Sequence, residues 1–189
     1  MANVAYERPG KFVVRLHLVD VNTDLVAAWR EVFRPFPGVI VRHGNILAAA
    51  ENAIVSPANS AGFMDGGIDR IYADFFGARL EQRVQDAIAR RPEGHLPVGA
   101  AVAVGTGHPR VPFLIVAPTM LLPEAVGEDA CYRALRAVLR LAGQNPQLAR
   151  AVYCPGLATG VGGVAPAVAA QEMARAYADW KGRFEPSGA

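Results

Sequence analysis

Residues 53–77 read AIVSPANSAGFMDGGIDRIYADFFG, and their order decides the fold class. Residues 53–55 form a short apolar, β-branched run that reads as a buried strand. Residues 56–67 then interrupt the pattern with small and turn-forming side chains. From Ile68 to about Arg91, Ile71, Phe75, Leu80, Val84 and Ile88 recur at helical spacing, which predicts one long helix that tolerates Gly77. This helix starts directly after Gly66 and Gly67, so strand, small-residue loop and helix N-terminus succeed one another. That is the layout of an anion site. Glycine lets backbone N–H groups approach a ligand, and the first helical turn adds unpaired donors and a partial positive charge.

A second loop repeats the design. Residues 155–163, PGLATGVGG, follow the apolar run at 151–154 and lead to a helix that opens at Pro166 and extends to about Trp180. Upstream, residues 12–19 (FVVRLHLV) read as a strand, and Asn22, Thr23 and Asp24 offer N-cap chemistry before a helix that Pro35 and Pro37 end. Residues 38–41, 98–106 and 113–119 are further strand-like runs, and residues 128–141 (EDACYRALRAVLRL) are strongly helical. Alternating strands and helices predict a three-layer α/β/α sandwich with a mixed central sheet, a class that binds ligands at the carboxyl ends of its strands. A single domain over residues 1–182 with a frayed tail at 183–189 accounts for the full length, with no repeat or linker.

Composition narrows the functions. At 52% hydrophobic and 19% charged residues, the chain is too apolar to be disordered and can bury one sizeable core. The formal net charge is +2 and the only lysines are Lys11 and Lys181, so no basic run suits extended nucleic acid. The P-loop, the dinucleotide fingerprint and the serine nucleophile elbow are all missing. Cys131 and Cys154 make neither a disulfide framework nor a zinc spacing, and His17, His43, His95 and His108 are scattered, so no metal and no cofactor are expected. The opening MANVAYERPGK is neither a signal nor a transit peptide and no apolar run is long enough to span a membrane, which predicts a cytoplasmic protein.

The order of motifs is more specific than any one of them. HGNI at 43–46, the stretch just quoted, VGAAVAVGTG at 98–107, LIVAPT at 114–119 and CPGLATGVGGVAP at 154–166 succeed one another in a way that resembles the macrodomain family of ADP-ribose-binding modules. The resemblance spans roughly Val41 to Trp180. It implies that Gly66, Gly67 and Ile68 line the distal ribose and diphosphate, with Ala58 beside them, while Thr159, Gly160, Val161, Gly162 and Gly163 close over the diphosphate from the other side. It further implies that Asn59 bonds the distal ribose hydroxyls and that Asp69 positions that ribose and an attacking water. Asn45 and Ile46 fall at the adenine end.

Departures from the family pattern qualify these roles. Asn45 stands where an Asp usually accepts from the adenine amino group, so it lacks charge assistance. Ser56 replaces the first Asn of the loop and Ala158 replaces a Ser. Asp65 replaces a glycine, adding a carboxylate that either repels the diphosphate or joins Asp69 and Asn59 as a catalytic group. No aromatic follows Gly162, leaving Phe63 or Met64 to close the pocket.

Each residue also has a plainer reading. Asn59 can cross-link its own loop, and Asp69 can be a first-turn acid that serves the helix dipole, which would keep it ionised. The cysteines read as buried and structural, and Phe75, Phe76, Tyr132, Trp29 and Trp180 as core or half-buried residues. Taken with the resemblance, the sequence implies an ADP-ribose binder that hydrolyses a bond at the distal ribose. The alternatives are a non-catalytic reader of ADP-ribosylated protein or nucleic acid, and a binder of another nucleotide diphosphate. The implied partners are therefore ADP-ribose itself or an ADP-ribosylated macromolecule, without a membrane.

Overall fold

The structure, a computed structural model, describes residues 12–184. Along the chain come β1 (Leu16–Asp20), α1 (Thr23–Val32), β2 (Ile40–His43), α2 (Ile46–Ala49), β3 (Ala53–Ser56), α3 (Gly67–Phe76) and α4 (Arg79–Ala89). There follow β4 (Val102–Gly105), β5 (Phe113–Val116), α5 (Asp129–Gly143), α6 (Pro146–Ala149), β6 (Val152–Cys154) and α7 (Pro166–Phe184). The strands form one sheet in the order β2-β1-β6-β3-β5-β4. All pairs are parallel except β4 with β5, which makes the sheet mixed as expected.

Alternation along the strands sends side chains to two separate cores. Leu16, Leu18, Val55, Ile115, Val152 and Cys154 face a cluster shared with α1, α5 and α7. Val19, Ile54, Leu114, Val116 and Tyr153 face a second cluster shared with α2, α3 and α4. Helices therefore cover both sides, and the three-layer sandwich is realised. Trp29 of α1 is wholly buried, and replacing so large a side chain by Ala would cost about 3–5 kcal/mol.

The expected long helix from Ile68 is two helices. Gly77 has φ +94° and ψ 160°, a conformation that only glycine adopts easily, and its N–H closes on Ala73 O to end α3 before α4 begins at Arg79. The periodicity was continuous across the break because both helices bury one face in the same cluster. Two short helices, α2 and α6, were not anticipated. Each is capped by an Asn side chain, Asn45 accepting from Leu47 N–H and Asn145 from Gln147 and Leu148 N–H. Phe75, expected as a core or half-buried residue, is 43% exposed at the end of α3, where its ring lies against Phe76 and His108.

The readings of MANVAYERPGK and of the tail fall largely outside the described residues, although α7 continues past the expected domain end to Phe184. Among the described residues no helix is long and apolar enough to cross a membrane.

Candidate ligand-binding and catalytic site

Four parallel strands, β1, β3, β5 and β6, end on the same edge of the sheet, and the loops that leave them surround a cavity of about 570 Å³. Of the residues named from sequence, Ala58, Asn59, Asp65, Gly66, Gly67, Ile68 and Asp69 line it from the first loop and the start of α3. Thr159, Gly160, Val161 and Gly162 line it from the second loop. Residues ninety or more positions apart in sequence thus face each other. Asn45, Ile46 and Gly163 do not reach the lining: Asn45 caps α2, Ile46 is buried in the second core cluster, and Gly163 N–H closes a turn onto Gly160 O.

Backbone donors dominate the walls. The N-cap of α3 is Gly66, which offers no side chain, so the first-turn N–H groups of that helix meet the cavity uncapped. Opposite, the N–H groups of Thr159, Gly160, Val161 and Gly162 have no acceptor among the described residues. The turn that holds them is tight: Val164 N–H donates to Ala158 O, and Ala158 sits in the left-handed region at φ +58°. A Cβ on Gly162 would lie 2.7 Å from Ala158 O, so this position must be glycine, whereas Gly160 has open space beside it.

Asp69 lies on the cavity floor and is only 7% exposed. Ser56, at the end of β3, donates its hydroxyl to Asp69 Oδ1 at 2.6 Å, and Tyr72 beneath donates to Val55 O. The side chain is the acid of the first turn of α3, but its hydrogen bond goes to Ser56 and not to the N–H groups of that turn. Nor does the helix dipole hold it firmly ionised, as the sequence suggested. Burial raises its pKa from 3.8 to about 6, and the Ser56 hydrogen bond opposes that rise only in part.

Asn59 is tied into its own loop. Its Oδ1 accepts from Ala61 and Phe63 N–H and its Nδ2 donates to Phe63 O, which leaves one amide N–H for a ligand. Asp65 is exposed at the rim. Phe63, 48% exposed, borders the cavity, while Met64 is buried in the second core. Ser60 donates to Met120 O, and both cysteines are buried, with the Cys131 thiol raised to about 12, so neither Ser60 nor a cysteine is presented as a nucleophile.

The structure adds residues that the sequence did not single out. Asp20, at the end of β1, accepts from Gly156 and Asn22 N–H and faces the cavity, tying the second loop to the N-terminal strand. Thr119 and Met120, just beyond the end of β5, line the cavity as well. Their shared position at strand carboxyl ends was the available signal.

A family model described as the Macro domain matches residues 55–173, the span that holds both loops, Ser56 and Asp69. The chain belongs to the macro domain family. A relative from Aquifex aeolicus (strain VF5), itself described as uncharacterised, is 35% identical over 144 residues, 76% of this chain and 80% of its own length. The macrodomain of Mycobacterium tuberculosis DarG aligns with a TM-score of 0.62 at 21% identity, covering 73% of this chain and 88% of that one. A variant of the Oceanobacillus iheyensis macrodomain solved with ADPR aligns at 0.60 and 19% identity, covering 72% of this chain and 73% of its own. At such identities these likenesses are of fold. The match to the macro domain model begins at Val55, so Asp20 belongs to a part of this macro domain outside the matched span that nonetheless builds its cavity.

Proposed function

We propose that this macro domain binds ADP-ribose, free or attached to a macromolecule, in the cleft at the strand carboxyl ends and hydrolyses a bond at the distal ribose. The observation that carries this reading is the pairing of two arrays of uncapped backbone N–H groups across one cavity whose floor is a buried carboxylate. A diphosphate fits such donors without a lysine or arginine. The distal ribose then falls between the start of α3 and the second loop, above Asp69.

Hydrolysis requires the oxygen of a water to bond to the anomeric carbon while the bond to the acceptor breaks and its electron pair leaves with the acceptor atom. Asp69 orients that water and takes its proton. A carboxylate with a pKa of about 6 is largely ionised at neutral pH yet basic enough to accept a proton. Two reduced, buried cysteines accord with a cytoplasmic setting.

A reader without turnover is the second reading, favoured by the commitment of Asn59 to its own loop. Calorimetric titration with ADP-ribose, with adenosine as control, tests binding. Gly160→Glu places a carboxylate in open space on the diphosphate wall and should abolish binding while the protein stays folded. Gly162→Glu would instead collide with the Ala158 backbone. With binding established, Asp69→Ala separates the readings: loss of about 10²-fold or more in turnover of ADP-ribosylated substrates marks a hydrolase. Absence of any wild-type turnover marks a reader.

A further inference from the structure

A second cavity, of about 860 Å³, lies on the opposite edge of the sheet, where β1, β3, β5 and β6 begin. Its walls are fixed by side chains spent on backbone. Asn52, in the left-handed region at φ +69°, donates through Nδ2 to the carbonyls of Gln147, Leu148 and Ala151. Arg110 donates to those of Leu47, Ala48 and Ala50. The concavity is therefore preorganised.

Its lining is charged in the opposite sense to the first cleft. Arg15, Arg110 and Arg150 face it against the carboxylate of Glu51, whereas the first cleft presents Asp20, Asp65 and Asp69 and no lysine or arginine. The guanidinium groups of Arg15 and Arg150 have no partner among the described residues. At the floor, His17 stacks on Tyr153 with ring centroids 4.3 Å apart, and the His17 Nδ1 is buried without a hydrogen-bond partner. The His17 Nδ1 is a buried polar atom that calls for a partner, and Arg15 and Arg150 are exposed at the mouth of the cavity, where an incoming anion can reach them. Burial and the nearby Arg42 lower the His17 pKa, so the arginines carry the positive charge.

We infer that this cavity is a second ligand site, which takes a phosphomonoester at the end of a nucleotide or of a nucleic-acid strand, gripped between Arg15 and Arg150. A phosphomonoester carries close to two negative charges at neutral pH, which balances three guanidinium groups and one carboxylate. The planar guanidinium fork matches its oxygens in pairs. The site stands apart from the ADP-ribose cleft and does not depend on it.

The test uses the full chain carrying Gly160→Glu, which obstructs the first cleft. AMP, adenosine, and a dinucleotide with and without a 5′-phosphate are titrated calorimetrically into this protein and into the same protein carrying Arg15→Gln and Arg150→Gln. AMP should bind, adenosine should not, and the double substitution should weaken AMP about tenfold to a hundredfold. A 5′-phosphorylated dinucleotide that binds more tightly than AMP assigns the site to a strand end, and equal or weaker binding assigns it to a free nucleotide. In the wild type, amide shifts induced by AMP should include Asn52 and residues 151–153, which locates the site even should Gly160→Glu fail to fold. No AMP binding by the folded Gly160→Glu protein, affinity indifferent to the two arginines, or shifts confined to residues 158–163 would overturn the assignment.

Discussion

Asp69 shows how burial reverses an expectation drawn from position. A first-turn acid is normally held ionised by the helix dipole, but this one is turned into the protein, where losing water costs its charge more than one serine hydroxyl returns. Because the folded pKa lies above the ordinary 3.8, the fold holds the proton more tightly than the unfolded chain, and stability falls as pH rises from about 4 to about 6. Asp69→Asn removes this penalty. Denaturant unfolding at pH 8 should show the variant more stable by up to about 3 kcal/mol, with the gain shrinking towards pH 4. For the proposed hydrolysis the sign is opposite, since only the carboxylate accepts a proton, so the rate should climb with pH through about 6. Ser56→Ala withdraws the hydrogen bond that favours the charged form and should move that limb of the pH–rate profile to higher pH. An unmoved limb would remove Asp69 from the proton transfer.

The break between α3 and α4 is a matter of one backbone conformation. Gly77 has no neighbour that a methyl group would strike, so its requirement comes from φ and ψ alone. Gly77→Ala should cost about 1–3 kcal/mol in thermal or denaturant unfolding. ADP-ribose affinity should be unchanged, because Gly77 lies at the far end of α3 from the residues that line the cleft. The loop at Ser56 is held differently: Asn59 bonds its own loop, and Thr119 and Ala117 N–H groups donate to Ala58 and Ser56 carbonyls across the sheet edge. These contacts fix the cleft before any ligand arrives.

The cavities at the two edges of the sheet differ in the charge they present. The formal net charge of the chain is only +2, yet the cavity at the strand carboxyl ends presents Asp20, Asp65 and Asp69, and the cavity at the amino ends Arg15, Arg110 and Arg150 against Glu51. In the proposed function, ligand capture at the first edge relies on backbone dipoles, which added salt screens little at contact distance. ADP-ribose affinity should therefore change less than about threefold between 50 mM and 500 mM salt. AMP binding at the second edge should weaken far more steeply over the same range. Calorimetry at the two salt concentrations reads both.

The alternation of strand and helix, the two small-residue loops and their order along the chain were legible directly, because hydrophobic period and glycine placement are local properties. From these followed the α/β/α sandwich with its mixed sheet and the resemblance to macrodomains, and the first loop, the start of α3 and most of the second loop do meet in one cavity. Asp20 was not visible as a site residue, because nothing in the sequence says that β1 lies beside β6 and so brings Asp20 to Gly156. The split at Gly77 was hidden by a periodicity that both helices share, and the pKa of Asp69 by a burial that depends on β3 and α3 packing together. The cluster of Arg15, Arg110 and Arg150 is likewise spread over three distant segments. Local pattern fixes which elements form; the distance between chemical groups, and hence their charge and partners, depends on contacts between residues far apart in the chain.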